Sequence, residues 1–410
     1  RRLSSVDCLD IMKIIGKIVV AGNVRRSAQI AIGDYDDIEY LRAKRWDLGG
    51  IPNWRAMSNN SVACDDITML PDEFWEGYNG NGEPYGLINL ANSRTQGRLG
   101  ETQYPDPDVM GYNPCAEQSL ANFETCCLAE IYLPNIESKD ELRKVARYLY
   151  RINKHSLAIP CSLKETESIV HRNMRMGIGV TGYLQATEEQ RLWLSDVYTY
   201  LRKYDEEYSN HHGFPCSIKI TTVKPSGTLS LLAGVTPGAH PGFSEFYIRR
   251  IRMAADSELA RVARRNGYHV EYVRNFDGTE DHSTVVVSFP CKFPKDTKFA
   301  EDMTAIDQLE VIKRLQTEWS DNSVSVTIYY RKEELDDIKQ WLANNYNFSV
   351  KSVSFLLHSG HGFVQAPMEE ISETRYHEER SNVTPITSLD SVELDDVDIA
   401  DCDTGACPVR

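Results

Sequence analysis

The sequence predicts an α/β fold, on two observations. Stretches with apolar residues at helical spacing alternate with compact β-branched runs, and those runs are short and almost free of polar residues. Strands of that kind, set between helices, suit a parallel sheet buried on both faces. An all-helical bundle or a two-sheet sandwich would show neither the alternation nor the pattern.

The elements follow in order. Asp140 to Leu157 carries Leu142, Val145, Leu149 and Ile152 close to the 3–4 spacing of one helix face. A second helix runs from Glu188 to His211, closed by Gly213, and a third from Asp256 to Arg265, closed by Asn266-Gly267. A fourth covers Thr304 to Trp319, with Ile306, Leu309, Ile312 and Leu315 in register. Between them, Thr284 to Val287 and Val324 to Tyr330 read as buried parallel strands. Gly77 to Gly86 (GYNGNGEPYG) reads as a polar, turn-rich loop.

Composition sets outer bounds. The 410 residues suffice for two or three average domains or one large barrel, and 41% hydrophobic with 26% charged residues is ordinary for a water-exposed globular chain. No apolar run is long enough to cross a bilayer. A formal charge of −15 argues against a binder of polynucleotide, which needs a basic face. Ten cysteines show no disulfide framework, and a reducing cytoplasm is the expected setting. The chain starts Arg1-Arg2-Leu3-Ser4-Ser5, with neither an initiator Met nor a leader pattern, and we read that start as internal to a longer protein. We divide the chain into a catalytic region over 1–374 and a tail over 375–410. From Glu378 to Asp403 the tail turns acidic and Ser/Thr-rich, which predicts an extended, self-repelling segment.

Four constellations carry candidate chemistry. The tail ends Cys402-Asp403-Thr404-Gly405-Ala406-Cys407, two thiols close enough to form a small disulfide ring around a glycine. Spacing alone leaves open a redox pair, a stray pair or half a metal site. The second is Asn113-Pro114-Cys115-Ala116-Glu117, followed by Cys126-Cys127. If that loop is extended, an amide, a thiol and a carboxylate share one face; the alternative is an inert cysteine with polar neighbours. The third, Lys224-Pro225-Ser226-Gly227-Thr228-Leu229-Ser230, reads as a turn into a helix N-terminus able to hold phosphate, and equally as a plain capped helix. It is not a Walker A loop. The fourth, Gly22-Asn23-Val24-Arg25-Arg26, is either a nucleotide-contacting turn or solvated charge.

Taken in order, the segments AGNVRRSAQIAIGD, YNPCAEQSL, ETCCLAEIYLPN, TVKPSGTLSLLAGVTPGAHPG, DNSVSVTIYY and CDTGACP resemble the monomeric adenosylcobalamin-dependent ribonucleoside-triphosphate reductases, the class II ribonucleotide reductases. The resemblance covers essentially the whole chain and corresponds to somewhat more than the C-terminal half of such an enzyme. It implies a ten-stranded α/β barrel with a central finger loop, lacking its N-terminal strands here. It implies that Cys115 becomes a thiyl radical through adenosylcobalamin, that Glu117 takes the 3′-hydroxyl proton and that Asn113 holds the substrate. Cys126 would be half of the reducing thiol pair, with a partner before Arg1; Cys8 is in the wrong context to be that partner. Cys402 and Cys407 would re-reduce the pair and be renewed by thioredoxin. Ser226, Gly227, Thr228 and Ser230 would hold the substrate phosphates, and Asn23, Arg25 and Arg26 would belong to the specificity loop that senses deoxynucleotide or ATP effectors. A monomer with no bound metal beyond the cofactor is implied. Cys127, Cys64, Cys161, Cys216 and Cys291 are left as core or surface thiols.

Two other readings are weighed. A class I reductase would receive its radical through stacked tyrosines; Tyr329-Tyr330 follow a strand pattern directly and read as ordinary strand residues. A thiol-disulfide carrier or zinc-binding protein would use Cys402 and Cys407 but leave NPCAE and KPSGT unexplained.

Overall fold

The structure is a computed structural model that describes residues 2–20, 27–274, 279–294, 297–358 and 365–387, without the side chains of residues 56 and 57. Asn23, Arg25, Arg26, Cys402 and Cys407 lie outside the described residues. Among the described residues no helix is long and apolar enough to cross a membrane.

Helix α1 (Ser5–Val20) precedes β1 (Gln29–Asp34), and α2 (Ile38–Arg42) leads to β2 (Ser58–Ala63). Then come α3 (Asp72–Trp75), an irregular helical turn over Gly77–Asn81, β3 (Gly86–Ile88) and α4 (Leu90–Thr95). A hairpin of β4 (Gly111–Tyr112) and β5 (Ser119–Leu120) follows. The next stretch holds β6 (Leu128–Tyr132), α5 (Lys139–Ser156), α6 (Lys164–Asn173), β7 (Gly177–Thr181), α7 (Glu188–His212), β8 (Thr221–Thr222) and α8 (Leu229–Ala233).

The long helices form where the periodicity places them, for identifiable reasons. At the start of α7 the Thr187 hydroxyl accepts the Gln190 N–H at 3.2 Å while the Gln190 side chain accepts the Thr187 N–H at 2.8 Å. Both orphan donors of the first turn are thereby satisfied. Gly213 ends the helix with φ +72°, a conformation that costs glycine little. Leu194, Val197 and Leu201 turn its apolar stripe into the core.

Strands β6, β7 and β8 pair in parallel. A parallel bridge from Val223 to Val324 carries the ladder on, with Ser325 N–H donating to the Val223 carbonyl at 2.9 Å. It reaches β12 (Thr327–Tyr330) and β13 (Ser352–Leu357), which are also parallel, through α10 (Ala305–Glu318) and α11 (Leu335–Ser349). Strand β13 then meets β3 antiparallel, and β3, β2 and β1 are parallel to one another. Eight strands among the described residues thus form one continuous wall: five running one way and three the other. All five residues of β7 are buried, because β6 and β8 flank it and α5 packs against it, as suits a parallel strand. Leu309, Ile312 and Leu315 of α10 and the fully buried Trp319 fill the layer outside the wall.

Beside the wall lies an antiparallel sheet of order β10-β11-β9-β14, formed by β9 (Phe246–Ala254), β10 (His269–Arg274), β11 (Glu280–Lys292) and β14 (Met368–Glu370). This corrects the expectation for Thr284 to Val287, which lie within a long antiparallel strand. Their unbroken burial comes from α9 (Glu258–Arg265) and the neighbouring strands, a situation that short apolar runs cannot distinguish from a parallel sheet. The expected loop at Gly77–Gly86 also proves partly helical. A third correction concerns the tail: α12 (Glu373–Ser381), capped by Ser372, spans the boundary drawn after Thr374 and packs Tyr376 on Phe246 at 5.2 Å between ring centres.

Candidate active site

Residues 113–118 form the tip of the β4–β5 hairpin, and hydrogen bonds from the wall hold that tip from both strand groups. Asn59 of β2 donates to the Pro114 carbonyl at 3.3 Å, and the Ser352 hydroxyl on β13 donates to the Ala116 carbonyl at 3.2 Å. The Thr222 hydroxyl on β8 reaches the Glu117 carbonyl at 2.7 Å, which also accepts the Ser323 N–H at 3.1 Å. The Ser325 hydroxyl takes the Cys115 carbonyl. Four consecutive carbonyls of the tip are therefore satisfied by the wall, which holds the hairpin, a short finger of chain, against its strands.

The tip is not extended, contrary to the one-face expectation. It is a tight turn: Asn113 N–H donates to the Gln118 carbonyl at 3.1 Å, Ala116 N–H donates back to the Asn113 carbonyl at 2.8 Å, and Ala116 sits at φ +60°. A non-glycine residue in that region carries strain that the surrounding contacts must hold. The Asn113 side chain accepts the Gln118 N–H at 2.9 Å, so part of its amide shapes the turn. Asn113 and Glu117 are buried, while Cys115 is half-buried.

The finger is tied to the second cysteine motif. The Gln118 amide pairs both ways with the Cys127 backbone, accepting its N–H at 3.2 Å and donating to its carbonyl at 3.4 Å. Cys126, exposed, directly precedes this anchor at the start of β6. The Cys127 thiol is a structural one: burial first, and then the neighbouring Cys126, push it up to about 11. The stem rests on Arg175, whose fork grips Asp106 at 2.5 and 3.0 Å and whose Nε lies 3.0 Å from Glu124. All three are almost fully buried, and nothing in their sequence spacing announced the cluster.

The phosphate-loop candidates follow β8. Ser226 adopts φ +53° with a buried hydroxyl that has no hydrogen-bond partner among the described residues, and the same holds for the buried Thr236 hydroxyl. Ser230 is buried in α8, which has only five residues with Thr228 at its N-cap. Gly238 is required here: at φ +55° a Cβ would stand 2.3 Å from the Lys224 carbonyl.

A cavity of about 530 Å³ opens beside this loop, where β8, β12 and β13 end. Pro225, Pro237, Phe243, Phe293 and Met368 give it mostly apolar walls, and Gly227, Tyr329, His358 and the Arg250–Glu369 ion pair complete it. His240 in its wall uses both ring nitrogens, Nδ1 toward the Pro237 carbonyl at 3.1 Å and Nε2 accepting the Thr327 N–H at 3.0 Å. Burial lowers its pKa to about 4, so it is a neutral strut. Tyr330 is a buried strand residue whose hydroxyl donates to the Tyr78 carbonyl at 2.8 Å. Sequence reasoning identified neither the cavity nor His240.

The chain is similar to known proteins in sequence and in fold. Residues 206–356 match the model of the ribonucleotide reductase barrel domain. A probable adenosylcobalamin-dependent ribonucleoside-triphosphate reductase of Dictyostelium discoideum is 35% identical over 99% of this chain and 54% of its own length. The adenosylcobalamin-dependent ribonucleoside-triphosphate reductase of Lactobacillus acidophilus is 34% identical over the whole chain and 60% of its own length. Among solved structures, a B-12 dependent (class II) ribonucleotide reductase superposes with TM-score 0.76 at 31% identity, over 94% of this chain and 57% of that one. The chain spans a little over half the length of the relatives it matches.

Proposed function

We propose that this chain, a member of the ribonucleotide reductase family, carries the radical-thiol site of an adenosylcobalamin-dependent enzyme that reduces ribonucleoside triphosphates to 2′-deoxyribonucleoside triphosphates. The observation that carries the reading is the finger: four carbonyls of residues 114–117 pinned to a wall of oppositely running strand groups, with Cys115 at the tip. In this reading the family's ten-stranded barrel is completed by two strands from elsewhere in the whole protein, beside the three-stranded group.

Each role follows from chemistry. Cys115, as a thiyl radical, takes the 3′-hydrogen of the ribose and returns it to C3′ once the 2′ position is reduced, which regenerates the thiyl. Glu117 accepts the 3′-hydroxyl proton, which helps the sugar radical expel its 2′-oxygen as water. Asn113 contributes its NH₂ group to a substrate hydroxyl, its oxygen being spent on the turn. Cys126 and a partner thiol supply two electrons and two protons and end as a disulfide. Cys402 and Cys407 reduce that disulfide by exchange, and thioredoxin renews them. The Ser226, Gly227, Thr228 and Ser230 segment holds the phosphates, supported by the unpartnered Ser226 hydroxyl. Asn23, Arg25 and Arg26 read the effector.

The cavity would take part of the cofactor: its apolar walls suit a face of the corrin ring, and the Arg250–Glu369 pair offers polar groups to amide arms at the edge. Bound adenosylcobalamin supplies the one-electron oxidising equivalent that the Cys115 thiol needs. His240 contributes no free lone pair.

The test is turnover of CTP by the whole protein with a dithiol. Deoxy-CTP formed only when adenosylcobalamin is present supports the reading. Activation by a partner metallosubunit instead would favour the class I chemistry, and bound zinc without turnover would favour a thiol carrier.

A further inference from the structure

Strand β7 reads Gly177-Ile178-Gly179, and both glycines lie on the interior face, where Thr222 meets the finger. A Cβ at Gly177 would come within 2.8 Å of Leu128 and Thr222, and one at Gly179 within 3.2 Å of Lys224 Cγ. The second glycine therefore opens a lane across β7. Through it Lys224 reaches Glu130 on β6, its Nζ 3.5 Å from Oε1, while Oε2 accepts the Thr181 hydroxyl at 2.7 Å.

These two contacts are unequal. The Thr181 bond has full strength, whereas 3.5 Å is at the outer limit for a lysine donor. Glu130 is 4% exposed and Lys224 15%, so neither charge is well solvated. An ammonium carries three donors, and among the described residues this one has a single long acceptor. Two residues on, the Ser226 hydroxyl is buried without a partner among the described residues. A cation and a hydroxyl with donor capacity to spare, on one strained loop, form an anion-binding group.

We propose that Lys224 is a phosphate-contacting residue held in reserve by Glu130: it leans on the carboxylate until a nucleoside triphosphate reaches the Ser226 loop, then transfers to a phosphate oxygen. Glu130 stays bonded to Thr181 and keeps the lysine from collapsing onto the finger. The proposal rests on reading Ser226 to Ser230 as the phosphate loop.

The experiment measures CTP affinity of the whole protein against salt for Lys224→Met, Glu130→Gln and Ser226→Ala. Lys224→Met should weaken binding about tenfold or more and flatten the salt dependence. Glu130→Gln, which still accepts from Thr181, should leave affinity equal or a few-fold tighter by releasing the lysine. A mere brace would make both substitutions weaken binding alike, and that result overturns the proposal. If Ser226→Ala weakens binding while Lys224→Met does not, the loop stands and the reserve cation falls. If neither matters, or CTP does not bind, the loop assignment itself is wrong and the proposal goes with it.

Discussion

Replacing Arg175 with Met should be among the most damaging single changes outside the finger itself. The guanidinium bridges Asp106 and Glu124 and also donates to the Ser119 hydroxyl at 3.2 Å, so it joins β5 to the segments on either side of the finger. Its side chain is 1% exposed, and those of Asp106 and Glu124 are 0% and 1% exposed. Met fills comparable volume but leaves two carboxylates buried without their cation. Breaking a buried pair in this way costs about 3–5 kcal/mol, a large part of the roughly 5–15 kcal/mol that holds a domain folded. Urea unfolding followed by tryptophan fluorescence should show the loss. Turnover under conditions where the variant stays folded should fall about tenfold or more, because the finger's base is released. A loss below about 1 kcal/mol with unchanged turnover would refute the view that this cluster positions the finger.

Three further outcomes follow from other contacts. Thr222→Val removes the hydroxyl on the Glu117 carbonyl at nearly constant shape; it should cost about 1–2 kcal/mol and lower kcat more than it raises KM, as steady-state kinetics would show. Gly177→Ala forces a methyl against Thr222 and Leu128, and thermal unfolding should register about 1–3 kcal/mol of overpacking. His240 titrates near 4 in the folded chain against an ordinary 6.5, so the unfolded state takes up the proton first. Its contribution, up to about 3 kcal/mol, is complete above pH 6.5 and is lost as pH falls toward 4. In urea melts between pH 7.5 and 5, His240→Gln should flatten that acid-side loss.

Much of the frame was legible because helices announce themselves locally. The α7 boundaries follow from Thr187, Gln190 and Gly213, and α10 from the spacing of Leu309, Ile312 and Leu315. Strand β8 has two residues, too few for any periodicity, and its place in the wall depends on the Val223–Val324 bridge between distant segments. The finger's cysteine and carboxylate stood out by residue type, but the turn did not, since Ala116 at φ +60° is not a residue that signals left-handed backbone. Arg175, Asp106 and Glu124 are far apart in the chain and met only on folding. Gly177 and Gly179 were the readable trace of the Lys224–Glu130 lane: two glycines at strand spacing mark a face where something else must pass.

The most direct test of the central claim is nucleotide reduction by the whole protein, with adenosylcobalamin and a dithiol, comparing the natural sequence with Cys115→Ser. A serine hydroxyl keeps the size and place of the thiol but cannot serve as a sulfur radical. Loss of all deoxynucleotide formation in a variant that unfolds at the same urea concentration is the result predicted. Continued reduction by the serine variant would show that the finger thiol does not start the reaction.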